Sequence, residues 1–101
     1  MGGIRSRYLV RGVRLTPVLA FHSDAVVGEH GTRVRRVVDA TGPTAACCAA
    51  ARASLRNERR GRLVIESVAV QADGQWQAVE PGRYPSQVGW DAERKAFTIE
   101  D

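Results

Sequence analysis

The chain is predicted to fold as an α+β domain: a single antiparallel sheet, ββαββ plus a C-terminal β-hairpin, with one helix packed on one face. Three observations carry this reading. Only one segment, Pro43 to about Arg59, sustains an apolar repeat of helical period. The other apolar runs are short, rich in β-branched residues and separated by Gly-, Pro- or Asp-containing turns. One helix cannot cover both faces of a sheet, so one face is expected to stay open, and function is expected there or on the exposed side of the helix.

Taken in order, Tyr8 to Leu15 reads as a first strand, with Leu9, Arg11, Val13 and Leu15 on one side and Tyr8, Val10, Gly12 and Arg14 on the other. Pro17 lacks an N–H for the ladder and is expected to break this strand or confine it to an edge, with Val18 to Val27 as a continuation. Gly28-Glu29-His30-Gly31, two glycines around two polar residues, is the expected turn, and Arg33 to Ala40 returns as the second strand.

The helix has Thr41 or Gly42 as N-cap, Pro43 at its first position where a missing N–H costs nothing, and Gly61 as its stop. Thr44, Cys48, Ala51 and Leu55 form its apolar stripe, with Cys47 at the edge. These residues are small, so the helix is expected to lie close on the sheet. Arg62 to Gln71, with Leu63, Val64, Ile65, Val68 and Val70, reads as a central strand. Asp73-Gly74 is a two-residue hairpin turn leading into Gln75 to Glu80. Pro81-Gly82 ends that strand and Arg83-Tyr84-Pro85 extends the loop. Gln87 to Trp90 and Lys95 to Glu100 form the last hairpin, anchored by Trp90, Phe97 and Ile99.

A length of 101 residues, 44% hydrophobic and 26% charged, fits one globular domain, 1–101. No apolar run approaches the roughly 20 residues of a membrane helix, so a cytoplasmic protein with no membrane partner is expected. Cys47 and Cys48 are adjacent, and neighbouring helical residues diverge by about 100°, which excludes a disulfide between them. Both are expected to be reduced, with Cys48 as inert packing. No CxxC or HxxxH spacing occurs, so no metal or cofactor is expected. His22, Ser23 and Asp24 with Glu29 and His30 are the one grouping an enzyme would use. Neither cysteine sits in a nucleophile signature, so no catalytic residue is assigned and a non-enzymatic protein is expected.

Charge is the most informative remaining feature. Fourteen of the fifteen basic residues are arginine, Lys95 being the exception. Up to Arg62 twelve arginines face four acids, a net +8, whereas the rest of the chain carries −4. Arginine bias also follows from a GC-rich bacterial or phage genome, but clustering of one sign steers polyanions or acidic surfaces toward one side of a molecule. On a regular helix Arg52, Arg56, Arg59 and Arg60 share one flank beside Arg62. Arg33, Arg35 and Arg36 on the preceding strand enlarge the patch, and Tyr84 is the expected exposed loop contact. Guanidinium forks grip phosphate with two bonds at once, so the expected partner is nucleic acid or a nucleoprotein. Tyr8, Trp76, Tyr84 and Trp90 lie outside the arginine clusters in sequence, and no helix-turn-helix, zinc-finger or RNP pattern occurs. The alternative is a phage- or mobile-element-encoded inhibitor or adaptor, docking on a protein through the open sheet face and the C-terminal hairpin. The element order is shared by unrelated folds and identifies neither.

Overall fold

Strands β1 (Ser6–Leu19) and β2 (Val26–Ala40) form a long antiparallel hairpin, followed by α1 (Pro43–Ser54), β3 (Arg62–Ala72), β4 (Gln75–Ala78), β5 (Gln87–Asp91) and β6 (Ala96–Glu100). The computed structural model describes residues 4–21, 25–56, 60–91, 93 and 95–100, with 96–100 as backbone only. All the strands join one antiparallel sheet in the order β2-β1-β3-β5-β6. β3 is central: β1 runs along one edge, while β5 and β4 share the other, β5 on its first half and β4 on its second. The expected α+β architecture is therefore what the chain adopts.

Alternation along the strands divides the sheet into two faces. Tyr8 and Val10 of β1 turn toward the helix together with Leu63, Ile65 and Val68 of β3 and Val88 of β5. The helix lays Ala46, Cys47, Ala50, Ala51 and Leu55 on them, all buried. Each fully buried Leu or Val contributes about 1.5–3 kcal/mol, whereas the alanines contribute little. Burial energy thus comes mainly from the sheet and from Leu55, and the small helical residues serve to bring the two layers close.

The helix starts as expected, with Gly42 as N-cap and Pro43 in the first turn. It ends earlier, at Ser54 rather than near Arg59. Leu55 leaves helical geometry at φ −112° and is 1% exposed, its N–H still bonded to the Ala51 carbonyl. Arg14 of β1 donates from Nη1 to the Ser54 carbonyl at 3.2 Å. A cation on an orphan carbonyl at the negative end of the helix dipole is a fitting terminus. The buried stripe is also rotated from the expected one: Ala46, Cys47, Ala50, Ala51 and Ser54 face inward, Thr44 is exposed and Cys48 is half-buried.

The first hairpin also departs from expectation. β1 passes through Pro17 without a break, because β3 stops pairing at Leu15 and Pro17 needs a partner only on the β2 side, where it faces Glu29. Gly28 to Gly31 is not a turn but part of β2, and the connection lies further out, closed by the Ala20 N–H on the Ala25 carbonyl at 2.8 Å. The outer third of the hairpin consequently projects as a two-stranded arm. Principal extents of 53 × 28 × 21 Å and a radius of gyration of 14.6 Å, against about 13 Å for a compact chain of this length, reflect it.

At Arg11/Gly12 the β1–β3 register shifts, leaving Glu66 as an extra residue in β3. The bulge presses the β3 backbone onto Gly12, where a Cβ would collide with the Val64 carbonyl oxygen. Backbone on both sides cannot yield cheaply, so Gly12→Ala is expected to lower stability by about 1–3 kcal/mol in urea unfolding. Gly28 has open space around its Cβ position, and Gly28→Ala is expected to stay within about 0.5 kcal/mol of the wild type.

Candidate functional site

Period-two alternation on β1 and β2 sorts the arginines. Arg7 and Arg11 of β1, Arg33 and Arg35 of β2 and Arg62 of β3 fall on the face away from the helix. Arg36, one residue from Arg35, points to the other face, where it is exposed. Arg52 is the basic residue of the last helical turn, and Arg56 and Arg60 lie past the helix end. The expected helical flank of Arg52, Arg56, Arg59 and Arg60 therefore does not form as one regular row, and Arg59 lies outside the described residues. Tyr84 is half-buried and packs against the core cluster, so it is not the exposed loop contact expected. His22, Ser23 and Asp24 lie outside the described residues. Glu29 and His30 are consecutive strand residues and point to opposite faces.

Three of the open-face arginines have acid partners. Arg62 makes two bonds to Glu29, Nη1 to Oε1 at 2.9 Å and Nη2 to Oε2 at 3.1 Å, reaching across β1 to tie the base of the arm to β3. Arg7 faces Asp39 in register at 3.6 Å, and Arg33 approaches the bulge residue Glu66 at 3.7 Å. Both of these pairs are solvent-exposed and contribute little to stability.

Arg11 and Arg35 are different. They face each other directly across β1 and β2, both exposed, and among the described residues neither has an ion-pair partner. Like charges in direct cross-strand opposition are destabilising. They line a cleft of about 170 Å³ with Gly12, Arg33, Val34 and Glu66. The bulge that pins Gly12 thus also shapes the cleft. Arg11 also borders a second, more apolar trough of about 280 Å³, formed by Leu9, Ser67, Ala69, Trp76 and Ala78. Leu9, Ala69 and Ala78 lie in one cross-strand row, and Trp76, 40% exposed, stands in the next, opposite Gln71. An aromatic thus shares a face with the arginines, which their distance in sequence concealed. A wider depression of about 600 Å³ at the start of the helix has Arg83 as its one charged lining residue.

No family model, curated protein or solved structure matches this chain. Among the described residues no cluster of three His, Cys, Asp or Glu is disposed to hold a metal ion, and no helix is long and apolar enough to cross a membrane.

Burial pushes the Cys47 thiol up to about 12, with Cys48 beside it adding to the effect. Burial also raises Cys48, while Arg52 pulls it back. The more deeply packed thiol is thus Cys47 rather than Cys48. A raised thiol pKa leaves little thiolate at neutral pH. Modification by a thiol reagent is therefore expected to be slow at pH 7, faster at Cys48 than at Cys47, and to accelerate about tenfold per pH unit below each pKa. Rapid modification of either residue near pH 6 would indicate an activated thiolate.

Proposed function

We propose that this protein is a non-catalytic binding module whose open sheet face engages nucleic acid or a nucleoprotein through arginine. The observation that carries the reading is the Arg11–Arg35 pair. Two opposed guanidiniums are mildly unfavourable for the fold, and Glu66, which lines their cleft, is paired with Arg33, whereas a phosphate seated there converts the repulsion into two charge-assisted contacts. The β1–β2 half of the face supports this, with Arg7, Arg11, Arg33 and Arg35, and Arg62 beside them, against Asp39, Glu29 and Glu66, while Asp91 falls at the β5 end of the same face. Arg33, Arg35 and Arg62 remain in the interface from the original set, joined by Arg7 and Arg11. Arg36 points to the other face and Arg52 sits on the helix, from where they supply long-range attraction rather than contacts.

The protein-directed reading is favoured by one observation: Val18, Leu19, Val26 and Val27 on the projecting arm are each more than 40% exposed. Such a surface suits docking on a partner protein. Binding there is expected to be insensitive to salt and to disappear in Val27→Asp.

Fluorescence anisotropy of labelled oligonucleotides across a salt series tests the polyanion reading. Affinity is expected to fall steeply between 50 and 200 mM salt, as phosphate contacts require. The Arg11→Gln/Arg35→Gln double variant is expected to keep its fold and flatten the log–log salt slope by about 1.5, the equivalent of two phosphate contacts. An unchanged slope would remove this cleft from the interface.

A further inference from the structure

We infer that the open face is built for single-stranded nucleic acid, with an unpaired base stacked on Trp76 in the apolar trough while a phosphate further along the same strand lies between Arg11 and Arg35. The inference rests on the polyanion reading and adds the form of the strand. Arg11 belongs to both the charged cleft and the trough, so the two hollows flank one side chain. One hollow is lined by three arginines with Glu66, Gly12 and Val34, and the other mainly by apolar groups, so cationic and apolar lining are divided as phosphate and base are in a nucleotide.

Trp76 stands at the edge of the sheet on the four-residue strand β4, 40% exposed. The positions before it are small: Ala69, Ala78 and Ser67 leave the roughly 280 Å³ that bulkier residues would fill. Leu9, in contrast, is 5% exposed on this same face and gives the trough an apolar floor. A tryptophan beside such a trough presents a stacking surface that accepts any base, because every base has a π-face. In a duplex the bases are already stacked on their neighbours and their faces are hidden. The trough can therefore be used by an unpaired strand, and only the arginines by a duplex. Arg11 at the other end of the trough completes the arrangement of backbone contact and base stacking on which sequence-tolerant single-strand binding relies.

The test uses the full chain with oligothymidylate and oligouridylate of about a dozen nucleotides, and with a duplex of equal length. In the Trp90→Phe background Trp76 is the remaining tryptophan, and its fluorescence is expected to be quenched by the single strands and not by the duplex. Trp76→Ala in the otherwise native chain is expected to weaken single-strand binding roughly 5- to 150-fold with the salt slope unchanged, and to leave duplex binding as it was. Trp76→Phe is expected to retain most of the affinity, which separates stacking from a loss of fold. The tighter of the two single strands identifies DNA or RNA as the ligand. Full single-strand affinity in Trp76→Ala, or equal quenching by duplex, would overturn the stacking inference while leaving the arginine interface standing. Absence of salt-dependent binding to any of the three probes would overturn the polyanion reading itself.

Discussion

The 12-residue helix spans about 18 Å, whereas β1 and β2, at 14 and 15 residues, reach about 48 Å. That mismatch governs the molecule. A single helix of this length covers the middle of one sheet face and nothing else, so the core gathers beneath it around Leu55, Leu63, Val10, Val68 and Val88. Among the described residues the opposite face has no layer to bury it, and the outer hairpin has no body beside it. Both surfaces available for partners, the arginine face and the apolar arm, follow from having one short helix for two long strands.

Within that frame the β-bulge at Arg11/Gly12 links fold to site. It inserts Glu66 into β3, brings the Val64 carbonyl against Gly12, and leaves the cleft between Arg11 and Arg35 beside it. The remaining charges on the face are arranged conservatively. Arg62 is spent on Glu29 as a two-bond strap at the base of the arm, and Arg7 and Arg33 each lie near an acid. Against this background of paired charges the opposed pair, without an ion-pair partner among the described residues, is a local conflict in the fold. Conflicts of that kind are expected where a site serves a ligand rather than the stability of the chain.

Much of the fold was legible in the residues because local signals and tertiary outcome agree. Pro43 opens the helix, Asp73 and Gly74 take positive φ in a tight turn, and the β-branched run of β3 becomes the central strand. The features that were missed depend on contacts distant in sequence. The end of α1 is set by Arg14, 40 residues away, and by Leu55 dropping into the core, so a regular Arg52-to-Arg60 flank could not be ruled out locally. Gly28 and Gly31 bracket polar residues as a turn does, but continuous pairing with β1 holds them extended. Separation of Arg36 from Arg33 and Arg35 was available from strand alternation alone. The meeting of Trp76 with Arg11 was not, because it needs β3 to stand between β1 and β4.

The central claim is that the Arg11–Arg35 opposition is unfavourable for the free protein and favourable with a polyanion bound. Thermal unfolding of the wild type and Arg35→Gln at low salt, each alone and with a single-stranded oligonucleotide, tests it most directly. Relief of a cross-strand repulsion worth about 0.2–1 kcal/mol is expected to raise the midpoint of the free variant by roughly 1–6 °C. The oligonucleotide is expected to stabilise the wild type more than the variant, since binding to the native state adds to stability with the logarithm of affinity. A free variant that unfolds at a lower temperature than the wild type, or one that gains as much from the oligonucleotide, would contradict the claim.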